Sequence, residues 1–365
     1  MTDVLLVVRD GGGTAAVEIR VARRLVAHGH RVRIVGPPSV ADLASGLDFR
    51  PVEDTDPAPL AAYLVDRLDG VDIVVADCML YGALIAATVR GVPSAALMPT
   101  VYLADRLVDS AIARQPHWAG VRAAVNEARG RFGLAPVDSV ADQILAADRV
   151  LVLTSRAFDQ PDPSPPATVE YAGPQVDDAL VDWREPTWPA RWADAPLVLV
   201  SLSTSDQDQV VLLRRLLAAL GSLPVRALVT VGPAVDPAVL APPDNAVVAR
   251  VVPHSAVLPH AALVVTHAGH GTVISALRAG VPLVCVPMGR DQFDVAARVR
   301  RRGAGVTLPA DAAVPVLADG IRDVLGTPAY ADAARRLATA IGAEDPDRVV
   351  PAIVATARAR ADAAP

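Results

Sequence analysis

The chain has 365 residues, 52% of them hydrophobic, with a formal net charge of −6, which allows two domains of ordinary size and two apolar cores. All 34 basic residues are arginine, the mark of a codon bias, and no basic block or basic-aromatic stripe points to nucleic acid as a partner. Two cysteines (Cys78 and Cys285), no cationic leader before the short apolar run Val4–Val8, and no apolar stretch of membrane-spanning length predict a soluble cytoplasmic protein without a disulfide framework.

Along the chain, short apolar runs alternate with helical patterns. Val4–Val8 is expected as a strand and Ala15–His28 as a helix, with Val17, Val21, Leu25 and His28 near one face. Arg31–Val35, Asp72–Ala76, Ser94–Met98 and Arg149–Leu153 follow as strands. Runs this apolar, separated by helices, predict a parallel sheet covered on both faces. In "QPDPSPPATVEYAG", Gln160–Gly173, four prolines within seven residues exclude a helix or a central strand, and the interdomain linker is placed there. The expected domains are therefore 1–165 and 166–348.

The alternation then resumes. Strands are expected at Leu197–Leu202, Val225–Val231, Ala246–Ala249, Ala262–Val265 and Pro282–Val286, with a helix at Gln207–Leu220. Arg298, Arg300, Arg301 and Arg302 fit the solvated end of a helix, with a phosphate site as the alternative. A helical tail from about Val349 to Ala361, within 349–365, is expected to pack back on the first domain. The fold class is α/β, two doubly wound units in tandem, and ligands of such sheets bind at the carboxyl ends of the strands.

"VTHAGHGTV", residues 265–273, stands between an apolar run and a helical pattern expected over Thr272–Ala279. Gly269 and Gly271 permit close backbone approach, the helix N-terminus offers amides and a dipole, and Thr272 and His267 add donors. This chemistry suits a diphosphate; the alternative is a plain tight turn.

Upstream lies "RVVPHSAVLPHAALVVTHAGHGT" and downstream "RAGVPLVCVPMGRDQFDVAARV". Together they resemble the donor-binding signature of the family 1 glycosyltransferases of the GT-B fold, best matched by bacterial macrolide and natural-product enzymes. The resemblance implies two Rossmann-like domains facing an interdomain cleft. It implies that His267, Gly269, Gly271 and Thr272 bind the donor diphosphate, with Ser203 and Thr204 of "VSLSTSD" beside them. Pro253 and His254 would contact the nucleotide base, and Asp291 and Gln292 the sugar hydroxyls. His270 departs from the family's small residue between the glycines and is assigned either to phosphate or to the helix end. An N-cap role is the alternative for Asp291.

The family commonly places a histidine general base in the loop after the first strand. Here that loop reads "RDGGGTAAVE", with Thr14 at the histidine position. Asp10 is the nearest carboxylate, and Asp10 and Thr14 are the catalytic candidates, with a turn role as the alternative for Asp10. Asp105 and Asp109 are further alternatives. Gly12, Met79, Tyr81, Tyr102 and Trp118 are candidates for an acceptor pocket, the last four weighed against a place in the core; His117 beside Trp118 is read as core packing with a pocket-lining role as the alternative, and His28 and His30 as structural.

The resemblance thus implies a metal-independent inverting glycosyltransferase. It would move a sugar from TDP- or UDP-sugar to a small aglycone, O- or C-linked, without a cofactor and with homodimerisation open. The rivals are a nucleotide-sugar epimerase, a non-catalytic nucleotide-sugar-binding partner protein, and a dehydrogenase using Gly11–Gly13, whose spacing departs from the dinucleotide fingerprint at Ala16.

Overall fold

The computed structural model describes residues 1–103, 116–161, 164–176, 183–203 and 207–361. The chain forms two compact units, Met1–Gln175 with Asp345–Pro365, and Val176–Glu344. The first break falls ten residues beyond the boundary expected from the prolines, because the expected linker contains a strand.

In the N-terminal unit, strands β1 (Asp3–Val7), β2 (Arg31–Gly36), β3 (Asp48–Pro51), β4 (Ile73–Asp77), β5 (Ser94–Met98), β6 (Arg149–Val152) and β7 (Val169–Tyr171) form one sheet. Its order is β3-β2-β1-β4-β5-β6-β7, and every pair is parallel. Alternate residues of β1 enter opposite cores, Leu5 and Val7 on one face and Val4 and Leu6 on the other, which is why the strand is apolar throughout. The helix Thr14–Ala27 and the C-terminal helix Val349–Ala361 cover the second face; helices Pro57–Val65 and Tyr81–Arg90 cover the first.

In the C-terminal unit, β8 (Leu197–Ser201), β9 (Arg226–Thr230), β10 (Ala246–Ala249), β11 (Ala261–Thr266), β12 (Leu283–Cys285) and β13 (Gly305–Thr307) form a second parallel sheet in the order β10-β9-β8-β11-β12-β13. Helices Val210–Gly221 and Val314–Gly326 pack on one face through Leu213, Leu216, Leu217, Leu317 and Ile321. The order reverses between β8 and β11, so the loops after these two strands open a crevice at their carboxyl ends.

Arg298 does not belong to a solvated helix end. It is 7% exposed and pairs with Asp294 one turn earlier, Nη1 to Oδ1 3.5 Å, because the helix Gln292–Arg301 turns that face inward. Cys78 and Cys285 are both buried free thiols. Among the described residues, no helix is long and apolar enough to cross a membrane.

Candidate functional site

The loop after β11 leads directly into the helix His270–Arg278, so His270 is its first residue and Gly269 its N-cap. Its N-cap, Gly269, makes no side-chain capping bond. Ala268 holds φ 66°, a left-handed conformation uncommon outside glycine, which carries the chain from strand to helix. The two glycines differ in their surroundings. A Cβ on Gly269 would stand 2.7 Å from the His267 ring, whereas one on Gly271 would meet nothing within 4 Å. A side chain at 269 would displace the His267 ring. Gly271 leaves open space before the first turn.

His267 is half-buried, and its Nδ1 is buried without a hydrogen-bond partner. Burial pushes its pKa down to about 4, outweighing the Ser201 carbonyl and Asp291, which both favour the charged ring. The ring is neutral at physiological pH, with one N–H to donate. Asp291 acts on this ring electrostatically from the start of the helix Gln292–Arg301, whose N-cap it occupies without a side-chain capping bond. Arg290 before it holds φ 55°. His270 is 9% exposed. His254 opens the short helix His254–Val257 with Pro253 as its N-cap, and burial lowers its pKa.

Gln292 is 2% exposed and committed to its own loop. Its Oε1 accepts from the amides of Met288 (2.8 Å) and Gly289 (3.0 Å), and its Nε2 donates to Gln207 Oε1 (3.0 Å). Gln207 in turn donates to Ser203 Oγ at 2.7 Å. Gln209 accepts from the Ser203 amide and donates to its carbonyl, both at 2.9 Å. This amide chain joins the loops after β8 and β12. Gln207 and Gln209 were not among the expected site residues, since they read as the polar start of the helix expected at Gln207–Leu220, which in the structure begins at Val210. Thr204, Asp105 and Asp109 lie outside the described residues.

The candidates in the N-terminal unit separate into different surroundings. Asp10 is exposed, and its carboxylate accepts from Ser39 Oγ (2.6 Å) and the Gly12 amide (3.4 Å), a loop-capping arrangement. Gly12 itself holds φ 79°. Thr14 is the first residue of its helix, with Oγ1 buried and unpartnered. Tyr81 and Tyr102 are each 3% exposed and lie in the core, the outcome weighed against the pocket, because the helix Tyr81–Arg90 and the end of β5 turn them inward. Met79 and Trp118 are partly buried at the edge of that core, with Met79 Sδ accepting from the Tyr81 hydroxyl at 3.3 Å. His117 packs edge-on to Trp118 with ring centroids 5.3 Å apart. His30 Nδ1 accepts from the Thr2 amide at 3.2 Å, a structural contact.

Residues 214–356 match the family model described as erythromycin biosynthesis protein CIII-like, C-terminal domain. The 4'-demethylrebeccamycin synthase of Lentzea aerocolonigenes is 37% identical over 166 residues, covering 44% of this chain and 38% of that protein. The oleandomycin glycosyltransferase of Streptomyces antibioticus is 29% identical, covering 90% of this chain and 88% of that protein. Among solved structures, the glycotransferase of kitacinnamycin superposes with a TM-score of 0.75 at 24% identity, covering 99% of this chain and 98% of that one. VinC, solved in complex with dTDP, gives 0.73 at 21% identity, covering 98% of this chain and 100% of that one. Residues 214–356 thus carry an EryCIII-like C-terminal domain, and the chain resembles the glycosyltransferases of antibiotic biosynthesis, sharing their two-domain GT-B fold along its whole length.

Proposed function

We propose that the chain transfers a sugar with inversion from a TDP- or UDP-sugar to a small natural-product aglycone, O- or C-linked. The observation that carries this reading is the open space at Gly271, in the first turn of a helix that starts at the carboxyl end of β11. A diphosphate there would gain the amides, the helix dipole and the neutral donor of His267. The dTDP held by VinC favours the thymidine nucleotide. The diphosphate charge would be met by the helix N-terminus and His267.

Asp291, beside His267, is the group to accept from sugar hydroxyls. Gln292 has one amide hydrogen left after its loop bonds and is better suited to shaping the site than to gripping the sugar. Calorimetric titration with TDP and UDP, without metal, tests the reading. Wild type should bind one of them, and His267→Ala should weaken it roughly tenfold, on the order of 1.4 kcal/mol. Binding of neither nucleotide, or no effect of His267→Ala, would sink it. Donor binding without transfer to any acceptor would favour the non-catalytic alternative, which the absence of a histidine from Arg9–Glu18 raises.

A further inference from the structure

Among the described residues, four that are not glycine hold a left-handed backbone, and three of these stand in loops of the C-terminal sheet. Asp208 (φ 53°) follows β8, Ala268 (φ 66°) follows β11 and Arg290 (φ 55°) follows β12. The strands are neighbours, since β11 pairs with β8 on one side and with β12 on the other. In this conformation Cβ crowds the following carbonyl oxygen. It persists only where surrounding contacts hold it, and such residues gather where a loop is shaped for a ligand.

Two of the three corners are gripped by glutamines. Gln292 Oε1 accepts from the amides of Met288 and Gly289, at 2.8 and 3.0 Å, so its side chain reaches back across Arg290. Gln209 Oε1 accepts from the Ser203 amide and its Nε2 donates to the Ser203 carbonyl, both at 2.9 Å, which closes the loop in which Asp208 stands. Only an oxygen accepts from a backbone N–H, so the main chain itself orients both side-chain amides. Gln207 joins the two grips. Its Oε1 accepts from Gln292 Nε2 at 3.0 Å, and its Nε2 donates to Ser203 Oγ at 2.7 Å.

The chain of bonds is buried at both ends, with Gln209 1% and Gln292 2% exposed. A buried amide that loses its partner is costly, so a break at one link unsettles the next. Gln209 is enclosed by the Ser203 main chain and by the Val231 carbonyl, 3.5 Å from Nε2, and shapes the loops without facing a ligand. The corner at Arg290 sets the position of Asp291, whose charge acts on the His267 ring. All of these residues belong to one compact unit, Val176–Glu344.

We propose that Gln207, Gln209 and Gln292 act as one positioning unit. It holds the corners at Asp208 and Arg290 in their left-handed form and so presets the loops beside His267 for a nucleoside diphosphate. The inference rests on the donor-binding reading above and assigns Gln292 to the loops instead of to the sugar. None of the three glutamines is a catalytic residue.

Calorimetric titration of the full chain with TDP and UDP, well below its melting temperature, tests this. Methionine keeps the length of glutamine without its polar atoms. Gln209→Met and Gln292→Met should each weaken the nucleotide that wild type binds by about tenfold, and both together by far less than the roughly hundredfold product, because each breaks the same chain. Glycine takes the left-handed form unaided, so in an Arg290→Gly background Gln292→Met should cost less than about threefold. Equal losses with arginine and with glycine at 290 would overturn the holding of that corner. Nucleotide affinity within about threefold of wild type in both methionine variants, with only the melting temperature lowered, would reduce the chain to packing and overturn the proposal. Where Gln209→Met fails to fold, Gln207→Met, at a half-buried position, carries the same test. A wild type that binds neither nucleotide overturns the donor-binding reading itself, and the inference with it.

Discussion

Gly269 and Gly271 stand two residues apart, yet their substitutions should behave differently. Alanine at 271 meets open space on the first helical turn and exchanges a poor helix former for the best one, a gain of up to about 1 kcal/mol. It also fills the space proposed for the diphosphate. Gly271→Ala should therefore raise the thermal midpoint while weakening TDP or UDP binding at least tenfold. Gly269→Ala forces the His267 ring to move and should weaken nucleotide binding without the stability gain. A thermal melt and a titration on each variant separate the two cases. His267 adds a pH dependence of defined sign. Its folded pKa, lowered to about 4, costs stability as pH falls below the ordinary histidine value of about 6.5, where only the unfolded ring takes a proton. The melting temperature of wild type should fall relative to His267→Gln between about pH 6.5 and 4. The strand–turn–helix junction that holds His267 and the glycines was legible in the sequence because residue type and spacing suffice there. Gln292 was not, since the partners of an amide depend on which loops the fold brings near: here Met288, Gly289 and Gln207.

At the level of elements, the helix Thr14–Ala27 carries a carboxyl on its buried face. Ala15, Val17, Ile19, Val21, Ala22 and Leu25 surround Glu18 in an otherwise apolar pattern. Because the folded pKa of Glu18 is raised, its contribution is fully present below the unfolded carboxyl value of about 4.3 and is lost as pH rises toward the folded value. Glu18→Gln cannot ionise, so its melting temperature should gain on wild type steadily from about pH 5 to 9. A constant difference across that range would mean that Glu18 carries no raised pKa. Periodicity marked the long elements well, since strands buried on both faces and amphipathic helices leave continuous signals. It missed β3, β7 and β13, whose sequences DFRP, VEY and GVT are too short and too polar at sheet edges to stand out from loops. The pairing that buries Arg298 was likewise invisible, because a cluster of four arginines looks solvated until Asp294 is placed one turn before it.

At the scale of the whole molecule, the N-terminal unit is built from both ends of the chain. Val349, Val350, Ile353, Val354 and Ala357 of the last helix enter the same core as Val4, Leu6, Val21 and Leu25. The crossing points are tied together inside that unit. Arg24 Nε donates to Gln175 Oε1 at 2.8 Å, Gln175 Nε2 donates to the Pro346 carbonyl at 3.0 Å, and Arg24 pairs with Asp347. Proline density located the neighbourhood of the first crossing but not its end, because β7 and Gln175 are bound by contacts with β6 and with residues more than 150 positions away, which no local pattern encodes. Burying each large side chain of the last helix contributes about 1.5–3 kcal/mol, and three or four of them match the whole stability of a typical domain, about 5–15 kcal/mol. Ile353, fully buried, should cost about 2–5 kcal/mol as Ile353→Ala. A chain ended at Glu344 loses the entire helix, while the second unit, Val176–Glu344, keeps all its strands. Calorimetry should then show the N-terminal unit's unfolding transition abolished and the other retained, with TDP or UDP affinity within a few-fold of wild type. Loss of both transitions together would show instead that the two units fold as one.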